Sequence, residues 1–299
     1  MKRRVFLCTP SAGTDGEFSH FFQAGVSLSD QLRLVDSIAD AEVVLVDAHR
    51  TLPNEASALI PEAQESGCRV VAIDYSDDPH TLKLQNVPGI NRFLKRSTVT
   101  RKLGVSTGLV NYPVTCSHIA YCVREDILAY ALARWGTYSR DLDVVCSHSE
   151  ELLWQHGQRA RGLIAEALTH RLPKIYSAAI GHIGFRGNEG RNDVNSDYVD
   201  RMLRSKVTVT CQPDRWEGDY RLFEALACGP LVLCDHMLRP PRGLRDGEHL
   251  VFYYDAEDML EKLVYYLENE SERIQIADRG HQAAIAHHRA WHRMEQACF

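Results

Sequence analysis

The sequence predicts an α/β fold made of two Rossmann-like domains that face a cleft. Short runs of Val, Ile, Leu and Cys without polar alternation are typical of strands buried on both faces of a parallel sheet. Longer segments with helical periodicity separate these runs, so strand and helix alternate as in right-handed βαβ units. The alternation stops after about residue 78 and restarts near residue 143, which indicates two sheets.

The individual elements follow from this alternation in chain order. The predicted strands are Val5–Cys8, Glu42–Asp47, Arg69–Asp74, Asp143–Ser147, Lys174–Ala178, Lys206–Cys211 and Leu231–Cys234. The predicted helices are Leu28–Ala39, Asn54–Ser66, Glu125–Trp135, Gln158–Leu168, Ser196–Arg204, Tyr220–Cys228 and Asp258–Asn269. A parallel sheet binds ligands at the carboxyl ends of its strands, so we expect the functional residues in the loops that follow them.

The restart of the pattern divides the chain into domains. Turn-rich residues between about 79 and 113 separate the two groups of strands, and a helix near 125–135 precedes the second group. We therefore predict an N-terminal domain over residues 1–130, a C-terminal domain over 131–280 and a final helix over 281–299.

Composition excludes several classes of protein. The net charge of −6 offers no basic excess for a nucleic-acid partner. No run approaches the ~20 apolar residues that span a membrane, and Val5–Cys8 is too short for the core of a signal peptide. The nine cysteines include no CxxC pair, which favours a reducing compartment and a cytoplasmic location. The sequence does not indicate an oligomeric state.

The segment from Lys206 to Asp235 carries the main indication of chemistry. A strand, a polar loop, a short helix closed by Gly229 and a second strand follow one another. The peptide N–H groups of Gly218, Asp219 and Tyr220 open the helix, and unpaired N–H groups at that position favour a diphosphate.

Two charged residues of the same helix fit the rest of a nucleotide. Arg221 and Glu224 are three residues apart and share a helix face. A guanidinium can bind phosphate through two hydrogen bonds, and a carboxylate can accept two from a ribose diol. The alternative is an ordinary surface ion pair between these two side chains.

The run from Glu217-Gly218 to Glu224-Ala225-Leu226-Ala227-Cys228-Gly229 resembles the "EG…EAxAxG" signature of the group-1 family of GT-B glycosyltransferases. The resemblance implies that Glu224 holds the donor ribose, that Gly218 admits the diphosphate and that Glu217 lies near the sugar. Only six residues (218–223) separate the two glutamates, one fewer than in many members. A subgroup has a GDxRxxEALACG-like version, in which Arg221 belongs to the pattern.

The resemblance covers residues 200–290 most clearly and implies further roles. The N-terminal half becomes the acceptor domain, and the last helix crosses back to it, as in GT-B folds. Arg221 and Glu217 become the catalytic candidates.

Further side chains could reach the donor from other loops. Arg159 and Arg161 open the helix after the first strand of the second domain and could bind the diphosphate, although arginines are more often simply exposed. His182 follows another strand and could contact the base or the sugar, or be an exposed loop residue.

No metal site is predicted. Asp141 and Asp143 precede a strand instead of following it. Residues 193–204 begin like a calcium loop but lack its glycine and its final glutamate. His288 and His292 have zinc-compatible helical spacing without further ligands nearby.

The acceptor side of the chain is less specific. Thr9–Gly13 follows the first strand and could border the acceptor. His20, His49, Asp74 and His80 lie near strand ends, and any of them could act as a base toward an acceptor hydroxyl. The sequence does not choose among them.

Together, these features favour a glycosyltransferase that moves a sugar from a nucleotide-diphosphate donor, with uridine or guanosine as the nucleoside, to an unidentified acceptor. The donor is a substrate, and no cofactor or metal is expected. Resemblance to retaining members implies that the protein need not supply a base. The alternative is a non-catalytic GT-B-like module that binds a nucleotide-sugar. An unrelated epimerase would need a dinucleotide loop, and Gly13 and Gly16 do not form one.

Overall fold

The computed structural model describes residues 1–8, 19–102, 104–147, 159–181 and 194–299, with the side chains of residues 19 and 20 excepted. The predicted α/β class is confirmed. The two larger sheets of the described chain contain parallel strands throughout. In the part of the chain that is described, no helix is long and apolar enough to cross a membrane.

Strands and helices alternate up to residue 74 and again between residues 142 and 235, as predicted, whereas four strands that were not predicted follow one another between residues 92 and 118. Up to residue 133 they are β1 Arg3–Cys8, α1 Ser19–Ser27, β2 Leu32–Leu34, β3 Val43–Asp47, α2 Pro53–Glu65, β4 Arg69–Asp74, β5 Arg92–Lys95, β6 Val99–Lys102, β7 Val105–Leu109, β8 Cys116–His118 and α3 Glu125–Ala133. From residue 142 they are β9 Leu142–Cys146, α4 Arg159–Arg171, β10 Ala178–Ile180, α5 Ser196–Arg204, β11 Ser205–Thr210, α6 Arg221–Cys228, β12 Leu231–Asp235, β13 Val251–Tyr253, α7 Ala256–Glu268, α8 Glu270–His287 and α9 Ala290–Cys298.

The chain forms two compact units. Unit 1 contains Met1–Thr100, Leu109–Tyr121 and Arg289–Phe299, and unit 2 contains Arg101–Gly108 and Cys122–His288. These limits differ from the predicted ones at residues 130 and 280. Helix α9 packs against α1 within unit 1, and the peptide N–H of Val123 donates to the carbonyl of His288 within unit 2. Contacts between residues that are far apart in the sequence therefore determine the limits of the two units.

Unit 1 is built on a six-stranded sheet in the order β2-β1-β3-β4-β5-β8. Strand β3 is buried along its whole length, because Val43–Asp47 lies between β1 and β4 and is covered on both faces. Helix α2 packs its apolar face, which includes Ala56 and Ile60, into the core next to this sheet.

Unit 2 repeats the arrangement with a five-stranded sheet in the order β10-β9-β11-β12-β13. Within each unit, the first five strands thus follow the order 2-1-3-4-5 of a doubly wound sheet. In this order the chain changes direction across the sheet between the first and third strands, which are β9 and β11 in unit 2. Ligands of doubly wound folds bind outside the carboxyl ends of these two strands.

Two predicted elements are wrong. Leu28–Ala39 is not a helix, because it contains the edge strand β2 and a short 3-10 turn over Ile38–Asp40. Lys174–Ala178 is not a strand, because a turn in which Tyr176 N–H donates to the carbonyl of Pro173 occupies most of it. The strand there is β10, which starts where the prediction ended.

Candidate functional site

The candidate site lies at the carboxyl edge of the unit 2 sheet. Strand β11 is hydrogen-bonded to β9 on one side and to β12 on the other. Residues 211–220 leave the end of β11, and helix α4 begins at Arg159 on the path that returns from β9. Both segments therefore meet at the point where a doubly wound sheet binds its ligand.

Gln212 determines the shape of the loop after β11. Its Oε1 atom accepts hydrogen bonds from the peptide N–H groups of Gly218 and Asp219, both at 2.8 Å. Its own N–H donates to Oδ1 of Asp235 at the end of β12, also at 2.8 Å. The expectation that the N–H groups of Gly218 and Asp219 are unpaired is therefore wrong, because a buried side-chain amide from the same loop occupies them.

Glycine is needed at position 218 for its backbone conformation. Gly218 has φ of 103°, which lies in the left-handed region that other residues adopt at a cost of about 1–2 kcal/mol. This conformation turns the chain so that the next two residues can open helix α6. The role of Gly218 in admitting a diphosphate stays a prediction.

Asp219 is buried between two arginines. Arg161 and Arg221 both form ion pairs with its Oδ2 atom, the latter at 3.2 Å, and only 2% of the residue is exposed. Burial opposes ionisation, but the two guanidinium groups outweigh it and hold the pKa of Asp219 below its usual range. Two cations thus share the carboxylate of Asp219 at the start of α6.

The two arginines that open α4 differ in their surroundings. Arg161 is buried, and its Nε donates to the carbonyl of Cys211 at 2.8 Å. Arg159 is exposed. The N–H groups of Arg159 and Ala160 both donate to the carboxylate of Asp214, which caps α4. Arg161 therefore belongs to the cluster of charged residues around the loop after β11. Arg159, in contrast, is simply exposed, which was the alternative considered for both arginines. His182 lies outside the described residues.

Glu217 is buried, and both oxygens of its carboxylate accept hydrogen bonds. Its Oε1 accepts from the hydroxyl of Ser106 and from the N–H of Leu238 at 2.8 Å, and its Oε2 accepts from the N–H of Arg239 at 3.0 Å. In this state the carboxylate ties three segments of unit 2 together. A catalytic role for Glu217 stays a prediction.

Glu224 is buried in helix α6. Its Oε2 accepts a hydrogen bond from the hydroxyl of Tyr198 at 2.7 Å, and its Oε1 lies 3.8 Å from Nη1 of Arg124. Burial raises the pKa of Glu224 to about 7, although Arg124, Tyr198 and Arg221 act against the shift.

Arg221 does not form the surface ion pair considered as an alternative. Its guanidinium pairs with Asp219, and it lies over the ring of Tyr220 with 4.8 Å between the guanidinium carbon and the ring centroid. The carboxylate of Glu224 faces Tyr198 and Arg124 instead. Helical spacing placed Arg221 and Glu224 correctly on α6, but it did not identify their partners.

Several residues of this site had no indication in the sequence. Gln212, Tyr198 and Arg124 are single polar residues without a motif, and each reaches the loop or α6 from a different place in the chain. Arg101 and Asp235 form a further buried ion pair at the same edge. Only the position of Asp235 at a strand's carboxyl end could have marked it as a candidate.

The metal and acceptor candidates can also be placed. Asp141 pairs with Arg204, and Asp143 pairs with Lys206, at the amino end of β9. His288 and His292 are not on one helix, since α8 ends at His287 and α9 begins at Ala290. In the described residues, no three His, Cys, Asp or Glu side chains are grouped as metal ligands.

In unit 1, Asp74 pairs with Lys95 at 3.0 Å. Burial, followed by the charge of Lys83, lowers the pKa of His49, and His80 is exposed. Thr9–Gly13 and the side chain of His20 lie outside the described part.

Comparison with known proteins agrees with this architecture. A family model described as glycosyl transferase-like matches residues 149–298, half of the chain. Among solved structures, HepE from Anabaena in complex with UDP aligns over 99% of this chain and 98% of its own, with 9% identity and a TM-score of 0.55.

Two further structures align over a similar length. A glycosyltransferase from Rickettsia africae covers 99% of this chain and 96% of its own, with 10% identity and a TM-score of 0.55. Sucrose-phosphate synthase from Thermosynechococcus elongatus covers 99% and 98%, with 11% identity and a TM-score of 0.53. At these identities the structures share the fold. No curated protein sequence matches the chain.

Proposed function

The chain belongs to the glycosyl transferase-like family, and from that premise we propose that it transfers a sugar from a nucleotide-diphosphate donor to an acceptor. The observation that carries the proposal is the cluster of Arg161, Asp219 and Arg221 beside Glu224 at the edge of the unit 2 sheet where ligands bind. This cluster lies within the residues that match the family.

Glu224 would hold the donor ribose. Tyr198 uses one acceptor position of the Glu224 carboxylate, and a carboxylate has about four. Two positions can therefore accept the hydroxyls of a ribose diol while the Tyr198 bond remains. The hydrogen bonds are strongest when Glu224 is ionised, and its pKa of about 7 makes this state depend on pH near neutrality.

Arg161 and Arg221 would bind the diphosphate. Their two guanidinium groups share the carboxylate of Asp219, and a guanidinium can bind phosphate oxygens through two hydrogen bonds. As the bond between sugar and diphosphate breaks, negative charge grows on the leaving group, and fixed positive charge stabilises it. We propose that these arginines serve in place of a metal ion. A retaining outcome, implied by the resemblance to group-1 members, would require no base from the protein.

We propose UDP as the nucleotide, because HepE, which shares the fold, was solved with UDP. The sugar would be a hexose, as is implied by the family, and the acceptor is unidentified. We further propose a cytoplasmic location, since the buried thiols of Cys68, Cys228 and Cys234 are not in disulfides and suit a reducing compartment.

A non-catalytic nucleotide-sugar-binding module is the second candidate. The observation that favours it is the environment of Glu217, whose two oxygens accept three hydrogen bonds from Ser106, Leu238 and Arg239. A carboxylate held in this way has little capacity left for a sugar hydroxyl. Binding of UDP-sugars without hydrolysis or transfer to any acceptor would support this candidate over the enzyme.

Titration calorimetry with UDP on Glu224→Gln tests the donor site. Loss of the charged acceptor should weaken binding by about tenfold or more, since hydrogen bonds to charged groups contribute about 1.5–3 kcal/mol. Glu261→Gln, on the exposed side of α7, is the matched control and should bind as the wild type does. The ratio of wild-type to Glu224→Gln affinity should also rise as pH increases through about 7, because the wild-type carboxyl ionises there. Equal affinity of the wild type and Glu224→Gln across this range would reject the site assignment.

A further inference from the structure

Residues 101–108 lie outside the family match at 149–298 but belong to unit 2. The peptide N–H of Arg101 donates to the carbonyl of Arg215 at 3.0 Å, and the hydroxyl of Ser106 donates to Glu217. Arg215 and Glu217 both lie in the loop between β11 and α6. A segment from an earlier part of the chain is therefore built onto the loop assigned to the donor.

The same segment also contacts the start of α4. Gly104 has φ of 82°, and a Cβ atom added to it would lie 2.4 Å from Cβ of Ala160. Such a contact leaves no room for a side chain, so Gly104 permits the close approach of the segment to α4. Residues 101–108 thus touch both of the segments that meet at the ligand-binding edge of the sheet.

The guanidinium of Arg101 is buried with only part of its hydrogen bonding satisfied. Its Nη2 atom donates to Asp235 and to the carbonyl of Gly104, whereas its Nε and Nη1 atoms have no hydrogen-bond partner among the residues that the structure describes. Only 6% of the residue is exposed. Burial disfavours the charge, but Asp235 outweighs it and keeps the pKa of Arg101 above its ordinary value. A permanent cation with two unsatisfied N–H groups is costly.

Hydrogen bonds connect Arg101 to the predicted phosphate loop. Asp235 accepts from Arg101 with Oδ2 and from the N–H of Gln212 with Oδ1. Gln212 in turn holds the N–H groups of Gly218 and Asp219. Because an N–H group can only donate, the missing partner must be a hydrogen-bond acceptor, and the positive charge favours an anion. The diphosphate of the donor is the anion already assigned to this edge.

Resting on the function proposed above, we propose that Arg101 is a further donor-site residue whose Nε and Nη1 groups bind oxygens of the diphosphate. The guanidinium of Arg101 is buried in this structure. The diphosphate therefore reaches it only when the segment that carries Arg101 moves or the residues packed over the guanidinium move. The donor site of this chain then includes a residue contributed from outside the region that defines the family.

Calorimetry with UDP and with uridine separates phosphate contacts from nucleoside contacts. Arg101→Gln should weaken UDP binding by tenfold or more, and Arg101→Lys should weaken it less, while uridine binding stays unchanged in both. Arg140→Lys is the matched control, since Arg140 is another arginine of unit 2, partly buried, whose Nη1 and Nη2 groups donate to backbone carbonyls. UDP binding by Arg101→Gln within twofold of the wild type would overturn the proposal.

Two further measurements keep the outcomes distinct. If the wild type binds neither UDP nor GDP, the proposed function fails, and inorganic pyrophosphate then tests Arg101 alone. Pyrophosphate binding by the wild type that is lost in Arg101→Gln supports the contact between Arg101 and an anion. No pyrophosphate binding by the wild type rejects that contact. If both Arg101 variants unfold, a crystal structure of the wild type with UDP decides. A phosphate oxygen within hydrogen-bond distance of Nε or Nη1 supports the proposal, and a diphosphate bound elsewhere overturns it.

Discussion

The two units share a strand order. They differ in which buried hydrogen-bonding groups lack a partner at the edge of the sheet where ligands of doubly wound folds bind. In unit 1, strand β3 ends at Asp47, whose Oδ2 atom is buried without a hydrogen-bond partner in the described part of the chain. In unit 2, two N–H groups of Arg101 at the corresponding edge have no partner among the described residues. The same backbone arrangement therefore presents an unsatisfied acceptor in one unit and unsatisfied donors in the other.

The ion pairs at the two edges differ in their ratio of cations to carboxylates. In unit 1, Lys95 and Asp74 form a closed pair, and Nζ of Lys95 also donates to Ser76. In unit 2, Arg161 and Arg221 share the single carboxylate of Asp219. Charges cancel one to one in the unit 1 pair, whereas in the unit 2 cluster two cations share one carboxylate. The sheet topology fixes where a ligand binds, and the side chains at the strand ends decide its charge.

Breaking the ion pair in each unit should have the largest effect. Lys95→Met removes the cation paired with the buried Asp74, so we expect it to lower the free energy of unfolding in urea by about 3–5 kcal/mol. Arg161→Met should lower it by less, because Arg221 still pairs with Asp219. Only Arg161→Met should also weaken UDP binding, by tenfold or more. A similar loss of UDP affinity in Lys95→Met would show that the two edges are not functionally distinct.

The buried carboxyl group of Asp47 in unit 1 should affect how the stability of the protein depends on pH. Burial raises the pKa of Asp47 to about 6. A hydrogen bond from the backbone N–H of His49 and the charge of Arg50 oppose this rise, and the charge of Asp74 adds to it. The folded state therefore holds the proton more tightly than the unfolded state, where the pKa is about 3.9. The stabilising contribution is present below pH ~4 and is lost as pH rises through about 6, a change of about 3 kcal/mol.

Urea unfolding of Asp47→Asn at several pH values checks this expectation. The stability of the wild type relative to that of Asp47→Asn should fall as pH rises from ~4 through ~6, because only the wild type has the carboxyl group of Asp47. The exposed Asp36→Asn is the control and should follow the wild type. If the wild type and Asp47→Asn show the same slope, the side chain of Asp47 is not the unsatisfied acceptor of this edge.

Substitution of a glycine in each unit should give the smallest change in stability. Gly218 has φ of 103°, and Gly67 has φ of 71° with no atom within 4 Å of an added Cβ. Replacement by alanine should cost about 1–2 kcal/mol at either position. UDP affinity should fall only in Gly218→Ala, because Gly218 lies in the loop that we propose to bind the diphosphate. Unchanged affinity there would remove Gly218 from the donor site.

Local pattern was enough to locate much of the unit 2 site. The buried strands β11 and β12 and the helix between them were predicted from apolar runs and helical spacing, and Gly229 marked the end of the helix. Arg161 was named from its place after a strand, without knowledge that it is buried against Asp219. The loop N–H groups were misjudged, since nothing local indicates that Gln212 reaches six residues ahead to Gly218.

The sequence by itself determined the α/β class, the presence of two doubly wound sheets and the helix that carries Arg221 and Glu224, because each depends on periodicity over a few neighbouring residues. Tertiary structure alone decided the partners: Tyr198 and Arg124 for Glu224, and Asp235 for Arg101, which lies 134 residues away. Spacing along a helix or strand contains no information about side chains that arrive from distant parts of the chain. The unsatisfied groups of Asp47 and Arg101 become visible only when all their neighbours are in place, because a missing hydrogen bond is a property of the folded surroundings.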